Sequence, residues 1–130
     1  MPAFSELSRA RLATCHPDLI KLFERVVLIA DCTVICGHRG EAEQEAAFRS
    51  GFSKVRFPAS KHNASPSLAA DVIPYPIDWS DRRRFYLFAG IVRGVAGELG
   101  IPIRLGADWD GDLDLKDQNF HDLPHFELKE

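Results

Sequence analysis

The chain has 130 residues, of which 45% are hydrophobic and 27% are charged, and its formal net charge is −3 with the histidines neutral. This length is enough for one domain with a real core but too short for two, and the composition is typical of a soluble globular protein. No basic cluster exceeds Arg82–Arg84, so the electrostatic footprint of a nucleic-acid-binding protein is absent from the sequence. We therefore predict one domain over residues 1–130 that does not bind nucleic acid.

Targeting segments and a disulfide framework are also not expected. Residues 1–13 contain no apolar core segment, which predicts no signal peptide. The most apolar run, residues 26–36, is interrupted by Asp31 and is too short to span a bilayer, so we expect no membrane insertion. Three cysteines in a chain that is not cysteine-rich predict no disulfide framework, and two of them are interpreted as buried thiols, namely Cys32 and Cys36.

The first part of the chain predicts two helices followed by a strand. Residues 7–14 favour a short helix, and apolar residues at helical spacing predict a second helix over about residues 18–31. The β-branched stretch 32–36 predicts a buried strand that Gly37 ends.

The middle of the chain predicts a helix, a long loop and a second strand. Residues 41–49 predict a helix that has three alanines on one face, namely Ala42, Ala46 and Ala47. Gly51 is a suitable C-cap for this helix. Residues 53–67 are rich in Ser, Pro and Asn and form a long loop, which is usually a functional feature in a compact domain. Residues 68–73 predict the next strand.

The last part predicts a long helix and two further short strands. A long helix is capped by Asp78, or by Ser80 with Asp81 following, and runs to about Leu99, where Gly100 ends it. Its predicted buried stripe is made of Phe85, Phe88, Ala89, Val92, Val95, Ala96 and Leu99. Residues 101–105 and 125–128 predict strands. This order of elements predicts an α+β fold in which helices pack on one face of a small, mainly antiparallel sheet.

Side chains suited to metal binding occur in two stretches about fifty residues apart. The first stretch contains His62 and Asp71, and the second contains Asp122 and His125. Two imidazoles and one carboxylate make a set of three N and O ligands that leaves a fourth position open for water, as in catalytic zinc sites. The other carboxylate can act as a base toward that water.

Each of these residues also has a simpler interpretation. A lone loop histidine such as His62 is more often surface decoration than a ligand. Asp71 lies in an apolar strand and must have a partner, which can be a metal, an arginine or backbone N–H groups. Asp122 can be a turn or cap residue. His121 lies four residues before His125, but Pro124 disfavours the helix that this ligand spacing needs, and the other competing histidines are His16 and His38.

The ordered motifs resemble a known family. Ser-x-His at 60–62, Ala-x-Asp-Val at 69–72 and Asp-x-Pro-His-Phe-Glu at 122–127 are similar to those of the D,D-carboxypeptidase and L-alanyl-D-glutamate endopeptidase group, peptidase M15, which includes small phage endolysins. The resemblance extends over about residues 35–128. It implies a Hedgehog/D,D-peptidase-like fold and one catalytic Zn²⁺ ion, with ligands His62, Asp71 and His125.

The resemblance also implies two catalytic roles. Asp122 occupies the position of the family's catalytic carboxylate, which takes the proton of the attacking water and passes it to the leaving amine. Arg39 matches a Gly-aromatic-Arg segment, and its guanidinium is suited to stabilising an oxyanion. The alternative for Arg39 is a salt bridge to Glu41 or Glu43.

Three residues are expected to bind substrate. Ser60 is predicted to hydrogen-bond the substrate or to orient a ligand, and a nucleophilic role is disfavoured because no nucleophile-elbow pattern surrounds it. Trp109 is predicted to wall the cleft, with core packing as the alternative. Gln44 falls in a family-like position. The aspartates of residues 108–117 lack the Gly and Glu positions of a calcium loop and are interpreted as a solvated acidic loop.

One departure from the family pattern affects the loop that carries the first histidine. The usual motif has seven residues from His to Asp, whereas His62 and Asp71 are nine apart, and Ser65–Ser67 replaces the family's Gly. Because the strand sets the direction of Asp71, we expect the longer loop to change substrate contacts rather than the ligand set.

The resemblance favours a phage endolysin-type zinc peptidase that hydrolyses a peptidoglycan stem peptide, with the L-alanyl-D-glutamate bond as the first expectation. The alternatives are a D-Ala-D-Ala carboxypeptidase of the same fold, a catalytically silent wall-binding or virion structural relative, and an α+β domain whose histidines are unconnected. We expect a monomer that accumulates in the host cytoplasm and reaches the periplasmic cell wall after holin-type release.

Overall fold

A computed structural model describes residues 2–113 and 122–129 of the chain. His121 and the later aspartates of the acidic loop lie outside these residues. The elements in chain order are α1 (Glu6–Leu12), α2 (Pro17–Val27), β1 (Cys32–Cys36), α3 (Glu41–Arg49), a 3₁₀ turn (Lys61–Asn63), β2 (Ala69–Pro74), α4 (Arg82–Leu99), β3 (Ile103–Leu105) and β4 (His125–Leu128). They confirm the predicted α+β class.

The four strands form one antiparallel sheet in the order β1-β2-β4-β3. Its register places Asp71 of β2 opposite Cys36 of β1 on one side and opposite His125 of β4 on the other. Directly opposed residues in an antiparallel pair have neighbouring side chains. The sheet therefore brings two of the predicted metal-binding residues, which are 54 positions apart in the sequence, into contact.

The helices cover the other face of the sheet and form the core with it. Phe126 of β4 is fully buried and makes edge-on ring contacts with Phe23 of α2 at 5.5 Å and Phe88 of α4 at 6.0 Å between ring centroids. The predicted stripe of α4 is confirmed, with Val95 and Leu99 only partly buried. No helix among residues 2–113 and 122–129 combines the length and apolar character needed to cross a membrane.

The ends of the helices follow local capping. The side chain of Ser5 accepts a hydrogen bond from the Ser8 N–H at the start of α1, and Asp81 does the same for the Arg84 N–H at the start of α4. Gly100 ends α4 with a positive φ of 71°, which a glycine adopts without steric cost.

One prediction about a helix end is wrong, and one helix buries a residue that its pattern does not single out. Helix α2 ends at Val27 rather than near Asp31, because Val27 is its last buried residue and the next two side chains, Leu28 and Ile29, are exposed. Helix α3 has the predicted bounds, and its buried residue is Gln44, while Ala42 and Ala46 are exposed.

Candidate active site

The loop before β2 holds His62 in a fixed position. Ser60 begins the 3₁₀ turn, and its Oγ accepts a hydrogen bond of 3.2 Å from the His62 N–H. The Ser60 N–H donates in return to Asn63 Oδ1 at 3.0 Å. The carbonyl of His62 accepts from the Arg39 N–H at 2.8 Å, and the imidazole is only 2% exposed. Ser60 therefore helps to fix the position of this histidine.

Three potential metal-ligand atoms lie close together next to β2, and their residues, His62, Asp71 and His125, are called the cluster below. The buried Asp71 Oδ1 lies 3.1 Å from His62 Nε2 and 3.2 Å from His125 Nδ1. Ligands at the usual zinc distances in a tetrahedral site are about 3.4 Å apart. Both distances are thus close to that between neighbouring ligands of a single ion, and the longer loop between His62 and Asp71 does not separate these two residues.

The other nitrogen of each ring identifies which atoms can bind a metal. His62 Nδ1 lies 2.8 Å from the Gly37 carbonyl, which can only accept, so Nδ1 carries the proton. His125 Nε2 lies 2.8 Å from Glu127 Oε1 and donates to it. These bonds leave the lone pairs of His62 Nε2 and His125 Nδ1 facing the Asp71 carboxylate. Such outer hydrogen bonds are the usual support of metal-binding histidines.

Without a metal, the same cluster must hold protons. Burial alone lowers the pKa of His62, but the hydrogen bond to Asp71 opposes it and raises that pKa to about 10. For His125 the penalty of burial is likewise outweighed by hydrogen bonds to Asp71 and Glu127, and the pKa is raised to about 9. Burial alone raises the pKa of Asp71, but the hydrogen bonds from His125 and His62 outweigh burial, so this pKa lies below its ordinary value. The cluster therefore requires positive charge, and this donor set fits a divalent cation.

A second candidate set replaces His125 with Cys36, since Cys36, His62 and Asp71 each offer a ligand atom within 4.8 Å of the others. Cys36 is half-buried rather than buried as predicted, and its Sγ lies 3.9 Å from His62 Nδ1. That nitrogen is already bonded to the Gly37 carbonyl, on the other side of the ring from Nε2. The set with His125 accounts for both histidine rings, and we favour it.

Arg39 lies beside the cluster and is almost completely buried. Its guanidinium pairs with Asp71 Oδ2 at 3.4 Å and donates to Gln44 Oε1 at 3.0 Å. Asp71 is its carboxylate partner among the described residues, in place of the Glu41 or Glu43 considered as alternatives. Gln44 is fully buried and donates to the Val55 carbonyl at 2.7 Å, so it orients Arg39 from behind instead of facing the cavity.

Asp122 is next to the cluster but outside it. Its Oδ2 lies 3.9 Å from His125 Nδ1, and its side chain is 21% exposed. Burial, reinforced by the negative charge of Asp71, raises the pKa of Asp122 to about 6. Its backbone N–H donates to the Gly106 carbonyl at 3.0 Å, and a Cβ on Gly106 would lie 1.9 Å from the Asp122 carbonyl oxygen. This close approach therefore requires glycine at position 106.

A cavity of about 340 Å³ opens over these residues. Six of the eight residues singled out from the sequence line it, namely Arg39, Ser60, His62, Trp109, Asp122 and His125. The Trp109 ring is tilted against the His125 ring with centroids 5.4 Å apart, which agrees with a cleft wall. Asp71 and Gln44 lie behind the surface of the cavity, and the exposed His38 and half-exposed His16 do not line it.

Two residues that support the cluster, Glu127 and Lys61, have no role in the prediction from the sequence. Glu127 bonds His125, and its other oxygen lies 3.3 Å from Lys61 Nζ. Side chains alternate along strand β4, which puts Glu127 on the same face as His125, so the sequence pattern was sufficient to predict that they are neighbours. The acidic loop also differs from its interpretation, because Asp108 is buried while Asp110 and Asp112 are exposed.

Comparisons with known proteins agree with this geometry. Residues 2–129 match the family described as phage L-alanyl-D-glutamate peptidase. The L-alanyl-D-glutamate peptidase of Escherichia phage T5 is 32% identical over 134 residues, which cover 96% of each chain. The crystal structure of the Serratia marcescens L-Ala D-Glu endopeptidase ChiX matches with a TM-score of 0.75 and 26% identity, over 98% of this chain and 91% of that one.

The match covers nearly the whole chain and includes both stretches that supply the clustered side chains. It confirms the resemblance inferred from the motifs and places the protein among the peptidases that carry the L-alanyl-D-glutamate name. The chain belongs to the phage L-alanyl-D-glutamate peptidase family.

Proposed function

We propose that this protein is a zinc-dependent peptidase that hydrolyses the L-alanyl-D-glutamate bond of peptidoglycan stem peptides. The observation that carries the proposal is the convergence of His62 Nε2, Asp71 Oδ1 and His125 Nδ1 beside a cavity that also contains the Asp122 carboxylate. The names of the family, of the phage T5 relative and of the Serratia endopeptidase support the choice of bond.

In this proposal His62, Asp71 and His125 hold the ion. A bound Zn²⁺ supplies a Lewis acid for the scissile carbonyl and lowers the pKa of a coordinated water to roughly 7. The Gly37 carbonyl and Glu127 keep the two rings in the tautomers that this binding needs. Zinc is preferred over harder cations because two of the three ligands are imidazoles.

Asp122 is the proposed general base and acid. It takes a proton from the attacking water as the oxygen bonds to the carbonyl carbon, and it delivers that proton to the amine as the C–N bond breaks. Its side chain is close enough to the cluster to act there, and its burial raises its pKa, which favours a group that both accepts and releases a proton.

Arg39, Trp109 and Ser60 complete the proposed site. The Arg39 guanidinium lines the cavity next to Asp71 and is suited to stabilising the negative charge that develops on the carbonyl oxygen. Trp109 forms a wall beside His125, and Ser60 contributes to the rim as well as orienting His62. Gln44 fixes the Arg39 side chain in place.

The proposal is tested by metal analysis together with product analysis. We expect about one zinc per chain after purification, cleavage of purified muropeptides between L-alanine and D-glutamate by mass spectrometry, and loss of cleavage after chelation that added zinc restores. Release of terminal D-alanine instead would indicate the carboxypeptidase alternative. If the protein has full zinc occupancy but cleaves no muropeptide, the proposal that it is an enzyme is rejected.

Asp122→Ala separates catalysis from a purely wall-binding or structural role. The variant is expected to keep the zinc, because Asp122 is not one of the three ligands, and to lose cleavage and lysis of outer-membrane-permeabilised cells. Unchanged lysis by this variant would favour a catalytically silent relative.

We further propose that the enzyme acts as a monomer and is released from the host cytoplasm to the wall through a holin-type pore. Light scattering at several concentrations tests the first point, and co-expression with and without a holin, scored by lysis, tests the second. Lysis that does not depend on the holin would contradict this route.

A further inference from the structure

A second cavity adjoins the proposed active site. It has a volume of about 240 Å³ and shares two lining residues with the first cavity, Phe52 and Asp122. Neither His62 nor His125 lines it. A substrate that extends past Asp122, away from the two histidines, therefore enters this second cavity.

Aromatic side chains form one wall of the second cavity. The Trp79 indole is 55% exposed and stacks on the buried Phe85 ring, with centroids 5.5 Å apart and an angle of 24° between the planes. Phe52 is 47% exposed. A large aromatic side chain that is exposed but held in place by a buried neighbour is typical of a binding surface.

The same cavity contains an arginine that is available to a ligand. Arg82 is exposed, and its guanidinium forms no hydrogen bond or ion pair within the part of the chain that the structure describes. Other arginines nearby are engaged, since Arg84 donates to the Tyr75 and Pro76 carbonyls and Arg39 pairs with Asp71. A guanidinium is the side chain best suited to binding a carboxylate through paired hydrogen bonds.

We propose that the second cavity binds the amine side of the scissile bond and that Arg82 pairs with the free carboxylate of the D-glutamyl residue there. This inference rests on the proposed function. Asp122 must reach the leaving amine to give it a proton, so the residue that carries this amine lies next to Asp122. Asp122 also lines the second cavity, which places the continuing chain inside it.

The charges of the two sides of the bond support this direction. The D-glutamyl residue on the amine side has a carboxylate outside the main peptide linkage, whereas L-alanine on the carbonyl side has only a methyl group. Arg82 thus acts as a specificity-determining residue that distinguishes the acidic residue from a neutral one, and the Trp79 face contacts the aliphatic part of the same residue.

The test uses the zinc-loaded enzyme and two stem peptides that differ in one group. One carries the free D-glutamyl carboxylate, and the other has this carboxylate converted to a carboxamide. Arg82→Ala is expected to lower kcat/KM about tenfold for the carboxylate peptide, the loss expected for one charge-assisted hydrogen-bonded pair, and to leave the carboxamide peptide unchanged. Arg82→Lys is expected to restore part of the difference.

Arg83→Ala is the matched control, because Arg83 is the adjacent exposed arginine and does not line the cavity. It is expected to leave both substrates unchanged. A second measurement is competition by the amine-side product, whose inhibition constant is expected to rise about tenfold in Arg82→Ala.

Two results would overturn the inference. Equal losses on both peptides in Arg82→Ala would mean that the residue acts on structure or chemistry and not on the carboxylate. Equal cleavage of both peptides by the wild-type enzyme would mean that nothing in the site recognises that group. A wild-type enzyme that cleaves neither peptide would instead reject the proposed function, and this inference with it.

Discussion

Strand β4 packs Phe126 and Leu128 against the helices on one face and directs His125 and Glu127 toward the cavity on the other. All four residues are at most 8% exposed. On the core face, burial itself is favourable and has no strict directional requirement. On the site face, each buried polar atom costs free energy unless a partner meets it at the correct distance and angle. The two faces should therefore respond differently to substitution.

The largest expected effect is on the site face. His125→Ala is expected to reduce activity at least about a thousandfold, because a catalytic zinc site with three protein ligands depends on each of them. It should also reduce bound zinc, measured by atomic emission, while the circular dichroism spectrum stays unchanged. His38→Ala is the control, since His38 is exposed and does not line the cavity. Full zinc and activity in His125→Ala would remove this residue from the ligand set.

The next largest effect is on the core face. Phe126→Ala is expected to lower the free energy of unfolding by about 3–5 kcal/mol, the usual cost of emptying a buried aromatic site. The measurement is urea unfolding of the metal-free protein, so that loss of zinc binding does not contribute. A loss below about 1 kcal/mol would show that the packing of Phe126 against Phe23 and Phe88 contributes little to the stability of this face.

Glu127→Gln tests the hydrogen bonds behind the ligands. A neutral amide oxygen accepts the His125 N–H more weakly than a carboxylate does, so we expect zinc affinity to fall about 10- to 100-fold. Competition with a chelating dye measures this, and Glu24→Gln on the exposed surface of α2 is the control. If both variants bind zinc equally well, Glu127 has no part in holding the metal.

The pH dependence of kcat/KM tests Asp122. In the proposed mechanism the ionised carboxylate is the active base, so activity should be lost as the pH falls through the pKa of this group. Burial raises that pKa to about 6, and a bound cation nearby shifts it back down. We therefore expect the acidic limb of the profile at or below about pH 6 in metal-loaded enzyme. An acidic limb that persists unchanged in residual activity of Asp122→Asn would belong to another group.

The smallest expected effect is that of Cys36→Ser. In the favoured ligand set the sulfur stays out of the coordination sphere, so the visible spectrum of the Co²⁺-substituted protein should be the same in the variant and the wild type. Loss of a sulfur-to-metal charge-transfer band in Cys36→Ser would instead support the set of Cys36, His62 and Asp71.

The same contrast explains what could be predicted from the sequence. The core face of β4 and the stripe of α4 follow from the spacing of apolar residues, which depends only on the period of a strand or a helix. The sequence also predicts that Asp71 has a partner, because a carboxylate in an apolar strand needs one.

The orientation of polar side chains is harder to predict from the sequence. Gln44 was expected to contact substrate, but its hydrogen bonds to Arg39 and the Val55 carbonyl depend on a loop whose path no local pattern defines. The position of Cys36 next to His62 likewise follows from the pairing of β1 with β2, including an irregular register between Val34 and Cys36. Such contacts join distant segments, and a single sequence does not specify them.

Gly106 has a practical consequence for anyone who redesigns this cleft. A single added carbon there would collide with the main chain of Asp122, at 1.9 Å from its carbonyl oxygen, so the placement of that carboxylate depends on a missing side chain. Libraries that vary the substrate preference should therefore leave this position untouched. Even a methyl group there would push the backbone aside and move the Asp122 carboxylate with it.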